Sequence, residues 1–99
     1  MRNFRYKIKN NKFYIELVSP RAEIDYRNAN EFAEVIKEGI EKNFDKVYID
    51  FKNLEFIDSA GIGKLVTFSK RAKIILLNVN EKIKKVFEIT RLCGLFDFK

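Results

Sequence analysis

The chain contains no histidine and only one cysteine, and each shortage excludes some chemistry. Without histidine it lacks the commonest general base, the usual partner of a serine or cysteine nucleophile, and the commonest transition-metal ligand. Self-contained hydrolytic catalysis is not expected, and no catalytic residue, metal site or cofactor is assigned. Cys93 has no partner for an intrachain disulfide, so it reads as core filling and agrees with a reducing compartment. The apolar residues never run uncharged for the roughly 18 positions a membrane span needs. The start, Met1-Arg2-Asn3-Phe4-Arg5, lacks the apolar core of a signal peptide. A soluble, cytoplasmic protein with no membrane association is expected. No repeat, low-complexity tract or flexible linker interrupts the chain, so residues 1–99 are read as one domain.

What is present is a good supply of core material. Hydrophobic residues make up 46% of the 99 positions and ten of them are Phe, enough for a sizeable interior in a chain of this length. The formal charge of +6 and pI near 9.5 permit attraction to nucleic acid, an anionic membrane or an acidic protein. The basic residues are spread out as Lys7, Lys9 and Lys12, then Lys70, Arg71 and Lys73, then Lys82, Lys84, Lys85 and Arg91, with acids between the groups. They read as solvated faces. Most Phe positions fall at core spacing, so direct nucleic-acid binding is not expected.

Phe4-Arg5-Tyr6-Lys7-Ile8-Lys9 and Phe13-Tyr14-Ile15-Glu16-Leu17-Val18 alternate like strands, and Asn10-Asn11-Lys12 between them predicts an antiparallel hairpin with Asn at positive φ. Pro20 ends the second strand. Asn28 is a candidate cap for a helix over Ala29 to Lys42, whose inner face would carry Ala29, Phe32, Ala33, Ile36 and Ile40. Val47 to Phe51 reads as a strand, and Lys52 to Ile57 as a link to a short helix with Ile62, Leu65, Val66 and Ser69 inward. Ile74 to Leu77 is a continuous apolar run, the pattern of a central parallel strand covered on both sides. A last helix follows Asn80 with Ile83, Val86 and Phe87 inward, and Leu95 to Phe98 is a candidate edge strand. The predicted class is α/β, one mixed, mostly parallel sheet in the order ββαβαβαβ.

The segment Phe56-Ile57-Asp58-Ser59-Ala60-Gly61-Ile62-Gly63 puts a serine hydroxyl where a strand gives way to a helix, with Asp58 or Ser59 as N-cap. Free N–H groups and a partial positive charge at a helix start would hold a phosphate added to Ser59 without unfolding its surroundings. Ser, Asp and Gly are also ordinary capping residues, and local spacing does not decide between the two explanations. The alternation of strands and helices puts Ser59 at the ligand-bearing edge of the sheet, with Asp25 expected nearby.

These residues resemble a STAS domain, specifically the small stand-alone bacterial anti-sigma factor antagonists. Tyr48-Ile49-Asp50-Phe51 through Gly63 is similar to that family's strand, Asp-Ser turn and helix start. Ile24-Asp25-Tyr26-Arg27-Asn28-Ala29 looks like its entry into the first helix. Val86-Phe87 with Leu92-Cys93-Gly94-Leu95-Phe96 looks like its closing segment. The resemblance implies that an anti-sigma factor serine kinase phosphorylates Ser59, that a phosphoserine phosphatase reverses this, and that ATP is held by the kinase. It further implies a partner surface of Asp25, Asp58, Ser59, Ala60, Gly61 and Ile62. In the unphosphorylated form that surface would bind the anti-sigma factor and release a sigma factor. A STAS-like subunit of a transporter or signalling assembly, using the same turn as a fixed docking surface, is the alternative. An enzyme built on Asp25, Asp58 and Ser59 would need Lys64 as base, and no motif supports one.

Overall fold

A strand at Phe4–Lys9 (β1) turns back onto Lys12–Leu17 (β2) through Asn10 and Asn11, whose φ angles of 53° and 60° lie in the left-handed region that Asn tolerates. The register Phe4↔Leu17 to Lys9↔Lys12 leaves those two residues alone as the turn and takes Lys12, expected in the link, into β2. The computed structural model describes residues 2–99. After the hairpin come β3 (Ala22–Ile24), α1 (Ala29–Glu41), β4 (Lys46–Asp50), β5 (Leu54–Ile57) and α2 (Ser59–Ser69). The chain closes with β6 (Lys73–Leu77), α3 (Glu81–Ile89), a short 3-10 turn at Cys93–Leu95 and β7 (Asp97–Phe98).

Five strands form one sheet in the order β1-β2-β4-β6-β7, in which only the β1–β2 pair is antiparallel. The predicted mixed, mostly parallel α/β architecture is therefore present. Two strands were not predicted. β3 and β5 pair in parallel as a separate two-stranded sheet, with Ala22 opposite Leu54 but Glu23 opposite Phe56, so Glu55 is an extra residue on β5. The bulge breaks the alternation: Leu54 and Ile57 are buried while Glu55 and Phe56 are both exposed. What reads as a link from Lys52 to Ile57 is thus a turn followed by a strand. The element order becomes βββαββαβαβ.

The helices cover one face of the main sheet. The Phe4 ring stacks on Phe32 of α1 at 5.1 Å, and Phe87 of α3 meets Phe98 of β7 edge-on at 5.7 Å. Leu65 of α2 joins the same core as Ile15, Ile49, Ile74 and Leu76. Fully burying a side chain of this size contributes about 1.5–3 kcal/mol, so this layer supplies most of the drive to fold. Ile74, Ile75 and Leu76 are all buried, as the apolar run of β6 predicts, but helices cover only the face that carries Ile74 and Leu76. Ile75 points to the opposite face, where its ladder neighbours are Tyr48 and Asp97.

The α1 stripe follows the sequence, whereas in α2 the expected inner residue Ser69 is only half-buried and Phe68 takes its place, and in α3 the expected Val86 is half-buried. In α1, Ala29, Phe32, Ile36 and Gly39 are buried, and Ala33 and Ile40 pack against the core half-buried. In α2 the buried residues are Gly61, Leu65 and Phe68, with Ile62 and Val66 at the margin. Ile83 and Phe87 are the buried residues of α3, and Asn80 caps it by accepting from the Ile83 N–H at 2.9 Å. Cys93 is half-buried against the core. No helix among the described residues is long and apolar enough to cross a membrane.

Candidate functional site

The small β3–β5 sheet aims two loops at each other. β3 runs into the turn Asp25–Asn28 before α1, and β5 runs directly into α2, so parallel pairing puts both exits at one end. The Asp58 N–H donates to the Ile24 carbonyl at 3.0 Å, which continues the pairing one residue past β5. Asp25 and the Ser59 turn, expected to be neighbours, are joined in this way.

Asp58 is the N-cap of α2. Its Oδ1 accepts from the Gly61 N–H at 3.0 Å, satisfying one of the amides that a helix start leaves without an internal partner. Its Oδ2 accepts from the Tyr26 N–H, also at 3.0 Å, in the turn before α1. One carboxylate therefore ties the starts of both helices together. Ser59 is the first residue of α2, its side chain is exposed, and it forms no side-chain hydrogen bond among the described residues. Helix geometry leaves the Ser59 and Ala60 N–H groups without intrahelical acceptors. The hydroxyl sits at the positive end of the helix dipole beside the Asp58 carboxylate.

Asp25 is 6% exposed and does not face solvent. Its Oδ1 accepts from the Arg27 backbone N–H at 2.9 Å, and the Arg27 guanidinium grips the carboxylate with contacts of 3.1, 3.2 and 2.6 Å. Hydrogen bonding to Arg27 holds the Asp25 carboxyl below its ordinary value, and the same pairing raises the Arg27 pKa. Asn28 occupies the N-cap position of α1 but makes no capping bond. Its Oδ1 accepts from the Asp25 N–H at 3.0 Å and its Nδ2 donates to the Glu23 carbonyl at 2.7 Å, so it locks the turn and does not cap the helix.

The expected partner residues thus separate by position. Ser59 is exposed and Ala60 and Ile62 are half-exposed, whereas Asp25 and Gly61 are buried and the Asp58 carboxylate is spent on backbone amides. A Cβ on Gly61 would lie 2.6 Å from Ile24 Cγ2 and 2.9 Å from Ile57 Cγ1, so this glycine lets α2 sit directly on the β3–β5 pair. Gly63 has open space in the corresponding direction, so nothing there excludes a side chain.

Ser59 opens onto a shallow depression shared with Tyr26, Asn30, Ala60, Lys64 and Thr67. The sequence reading assigned no role to Tyr26, Asn30 or Thr67. Ser59, Gly63 and Thr67 lie at i, i+4 and i+8 on one helical face, which is the signal that would have found that wall. Tyr26 is 78% exposed, and its position outside any apolar stripe was the corresponding clue. Among the described residues no three or more Cys, Asp or Glu side chains gather as a metal-binding cluster.

Comparison with known proteins places this geometry. The STAS domain family model matches residues 9–99. A protein of Thermotoga maritima with the provisional designation anti-sigma factor antagonist is 28% identical over 95 residues, which span 90% of this chain and 81% of that protein. The crystal structure of such an antagonist from T. maritima matches with a TM-score of 0.79 at 26% identity, covering 96% of this chain and 84% of the other. The Bacillus cell fate determinant SpoIIAA in its phosphorylated form matches with a TM-score of 0.70 at 21% identity, over 97% and 90% of the two chains. At that identity the likeness is one of fold.

Two outcomes follow from the packing. Gly61→Ala forces α2 off Ile24 and Ile57 and lowers stability by about 1–3 kcal/mol, whereas Gly63→Ala, an exposed helical position, raises it by about 0.5–1 kcal/mol. Urea denaturation of both variants measures this, and equal effects of the same sign would contradict the described orientation of α2.

The Arg27–Asp25 pair sets a pH dependence. Because the folded carboxyl is lowered, its contribution is complete above the ordinary value of 3.8 and is lost as pH falls below that value through the folded one. Arg27→Gln should be less stable than wild type near neutral pH, and the gap should close on acidification through this window. A gap in thermal midpoint that stays constant there would show that the ion pair does not stabilise the turn.

Proposed function

Because the chain belongs to the STAS domain family, we propose that it is an anti-sigma factor antagonist switched by phosphorylation of Ser59. The family acts by binding and not by catalysis. In this reading the unphosphorylated protein binds an anti-sigma factor that is also an ATP-dependent serine kinase, and a sigma factor is released. Transfer of the γ-phosphoryl group to Ser59 ends the binding, and a phosphoserine phosphatase restores it. The setting is the bacterial cytoplasm.

The observation that carries this reading is the exposed Ser59 hydroxyl at the start of α2, set beside a carboxylate that is already fixed. Phosphate adds about −1.5 to −2 charges and three acceptor oxygens. Next to Asp58 it concentrates negative charge on a surface that a partner must cover, so binding is opposed by repulsion and by desolvation. The fold tolerates the group because the Ser59 and Ala60 amides and the helix dipole face it. Ser59, Ala60 and Ile62 are the contact residues in this account. Asp25, Asp58 and Gly61 act by holding them in place.

The test uses the full chain with its cognate anti-sigma kinase and ATP. Wild type gains one phosphate by mass spectrometry and Ser59→Ala gains none; labelling of Ser59→Ala at the wild-type level rejects Ser59 as acceptor. Ser59→Asp should bind the anti-sigma factor at least about tenfold more weakly with an unchanged thermal midpoint. Retained tight binding would rule out the charge mechanism.

A further inference from the structure

Lysines that lie far apart in sequence become one row in the sheet. Lys9 pairs with Lys12 across the hairpin, and Lys46 pairs with Lys73 across β4 and β6. Lys12 and Lys46 each directly precede the registered pair Phe13↔Val47, which makes them neighbours as well. The four side chains therefore stand side by side on four adjacent strands, spanning about 14 Å at the usual strand spacing. All four are exposed, on the face that no helix covers. Among the described residues Lys73 pairs with Asp97 at 3.2 Å, while Lys9, Lys12 and Lys46 form no ion pair.

Like charges directly opposite each other across strands destabilise a sheet. Asp97 offsets the charge of Lys73 and the Tyr48 ring faces Lys12, but among the described residues no carboxylate pairs with Lys9, Lys12 or Lys46, so an anionic partner is the interaction that would. A second copy of this face is excluded by the same repulsion.

The surroundings of the row distinguish among anions. The next row carries Tyr14 and Tyr48, registered neighbours whose rings lie 5.0 Å apart, and the Lys12 ammonium lies 5.5 Å from the Tyr48 ring centroid. Beside them is a hollow of about 420 Å³ lined by Lys12, Lys46, Tyr48, Phe44 and Asn43, with Asp45 as the one acid on its wall. Lysine ammoniums act as point charges suited to phosphates, and lysine is depleted from protein–protein interfaces. Sheet-borne aromatics flanked by cations offer stacking to unpaired bases, and amide side chains offer hydrogen bonds to base edges.

We infer that the open sheet face binds single-stranded nucleic acid, with phosphates along Lys9, Lys12 and Lys46 and a base against Tyr48. Direct nucleic-acid binding is not expected from the sequence because only strand register gathers these lysines. The row lies at the amino-terminal ends of β2, β4 and β6, whereas the Ser59 turn follows the carboxyl-terminal end of β5 in the separate two-stranded sheet. The two surfaces are independent, so failure of either leaves the other standing.

The test is fluorescence anisotropy of a short labelled oligouridylate with the full chain between about 50 and 200 mM salt. Three phosphate contacts predict a log–log salt slope of about −2. The double variant Lys12→Gln/Lys46→Gln should lose roughly tenfold in affinity and flatten the slope by about 1.4, and Tyr48→Leu should weaken binding about five- to hundredfold. Lys70→Gln/Arg71→Gln, with the same charge change elsewhere, should bind like wild type. The lysine variant should melt at or above wild type because repulsion is relieved; should it melt lower, Lys46→Gln alone carries the same reading. Absence of binding at the lowest salt overturns the inference, as does equal loss in the Lys70/Arg71 variant. Lysine-dependent binding of polyglutamate or of anionic vesicles in place of the oligonucleotide also overturns it, in favour of an acidic protein or a membrane surface.

Discussion

The Asp58 carboxylate is the joint on which the candidate site depends. Its two oxygens accept one amide from the start of α2 and one from the turn before α1, both at 3.0 Å. Among the described residues no other side chain links those two segments by hydrogen bonds to both backbones. With this joint made, Ser59 is carried outward on the first turn of α2, while Ile57 and Gly61 on either side face inward. A carboxylate accepting two backbone amides is anchored more firmly than one reaching into solvent. The Asp58 carboxylate therefore has an architectural part in this site.

The same logic extends into the turn behind it. Arg27 neutralises Asp25, the Asn28 side chain bonds back to the Glu23 carbonyl and the Asp25 N–H, and the Asp25 carbonyl accepts from the Asn28 and Ala29 N–H groups at 3.1 and 2.8 Å. At the far end of α1's first turn, Glu31 accepts from the Asn3 N–H, the Asn3 amide and the Phe4 N–H, tying β1 to the helix. The starts of both helices are thus held by side chain to backbone bonds that do not use the serine. Adding charge at Ser59 then changes what the surface attracts and leaves what holds it unchanged.

Much of this was legible in the sequence, for reasons that can be stated residue by residue. The Asn10-Asn11 turn was readable because few residues accept left-handed backbone, and the α1 stripe because Phe32 and Ile36 repeat at helical spacing. The Ser59 turn was readable from Asp58 and Gly61 together with its resemblance to STAS domains. β3 and β5 were not, because three- and four-residue strands carry too little pattern and the bulge at Glu55 erases the alternation of the longer one. The one-sided cover of β6 was hidden because Ile75, screened between Tyr48 and Asp97, is as apolar as a residue packed under a helix. Asn28 misled because its position in sequence is that of a cap, while its amide finds nearer partners in the preceding turn. The lysine row depends on pairing between distant strands, which local spacing does not encode.

The central claim is that phosphorylation changes the charge of the surface while the Asp58 joint stays closed. Amide hydrogen exchange at Tyr26 and Gly61, measured before and after the kinase has phosphorylated the protein, tests it directly. The account predicts that both amides keep their protection while the anti-sigma factor no longer binds. Loss of protection at both sites on phosphorylation would mean that the switch works by opening the turn, and would contradict it.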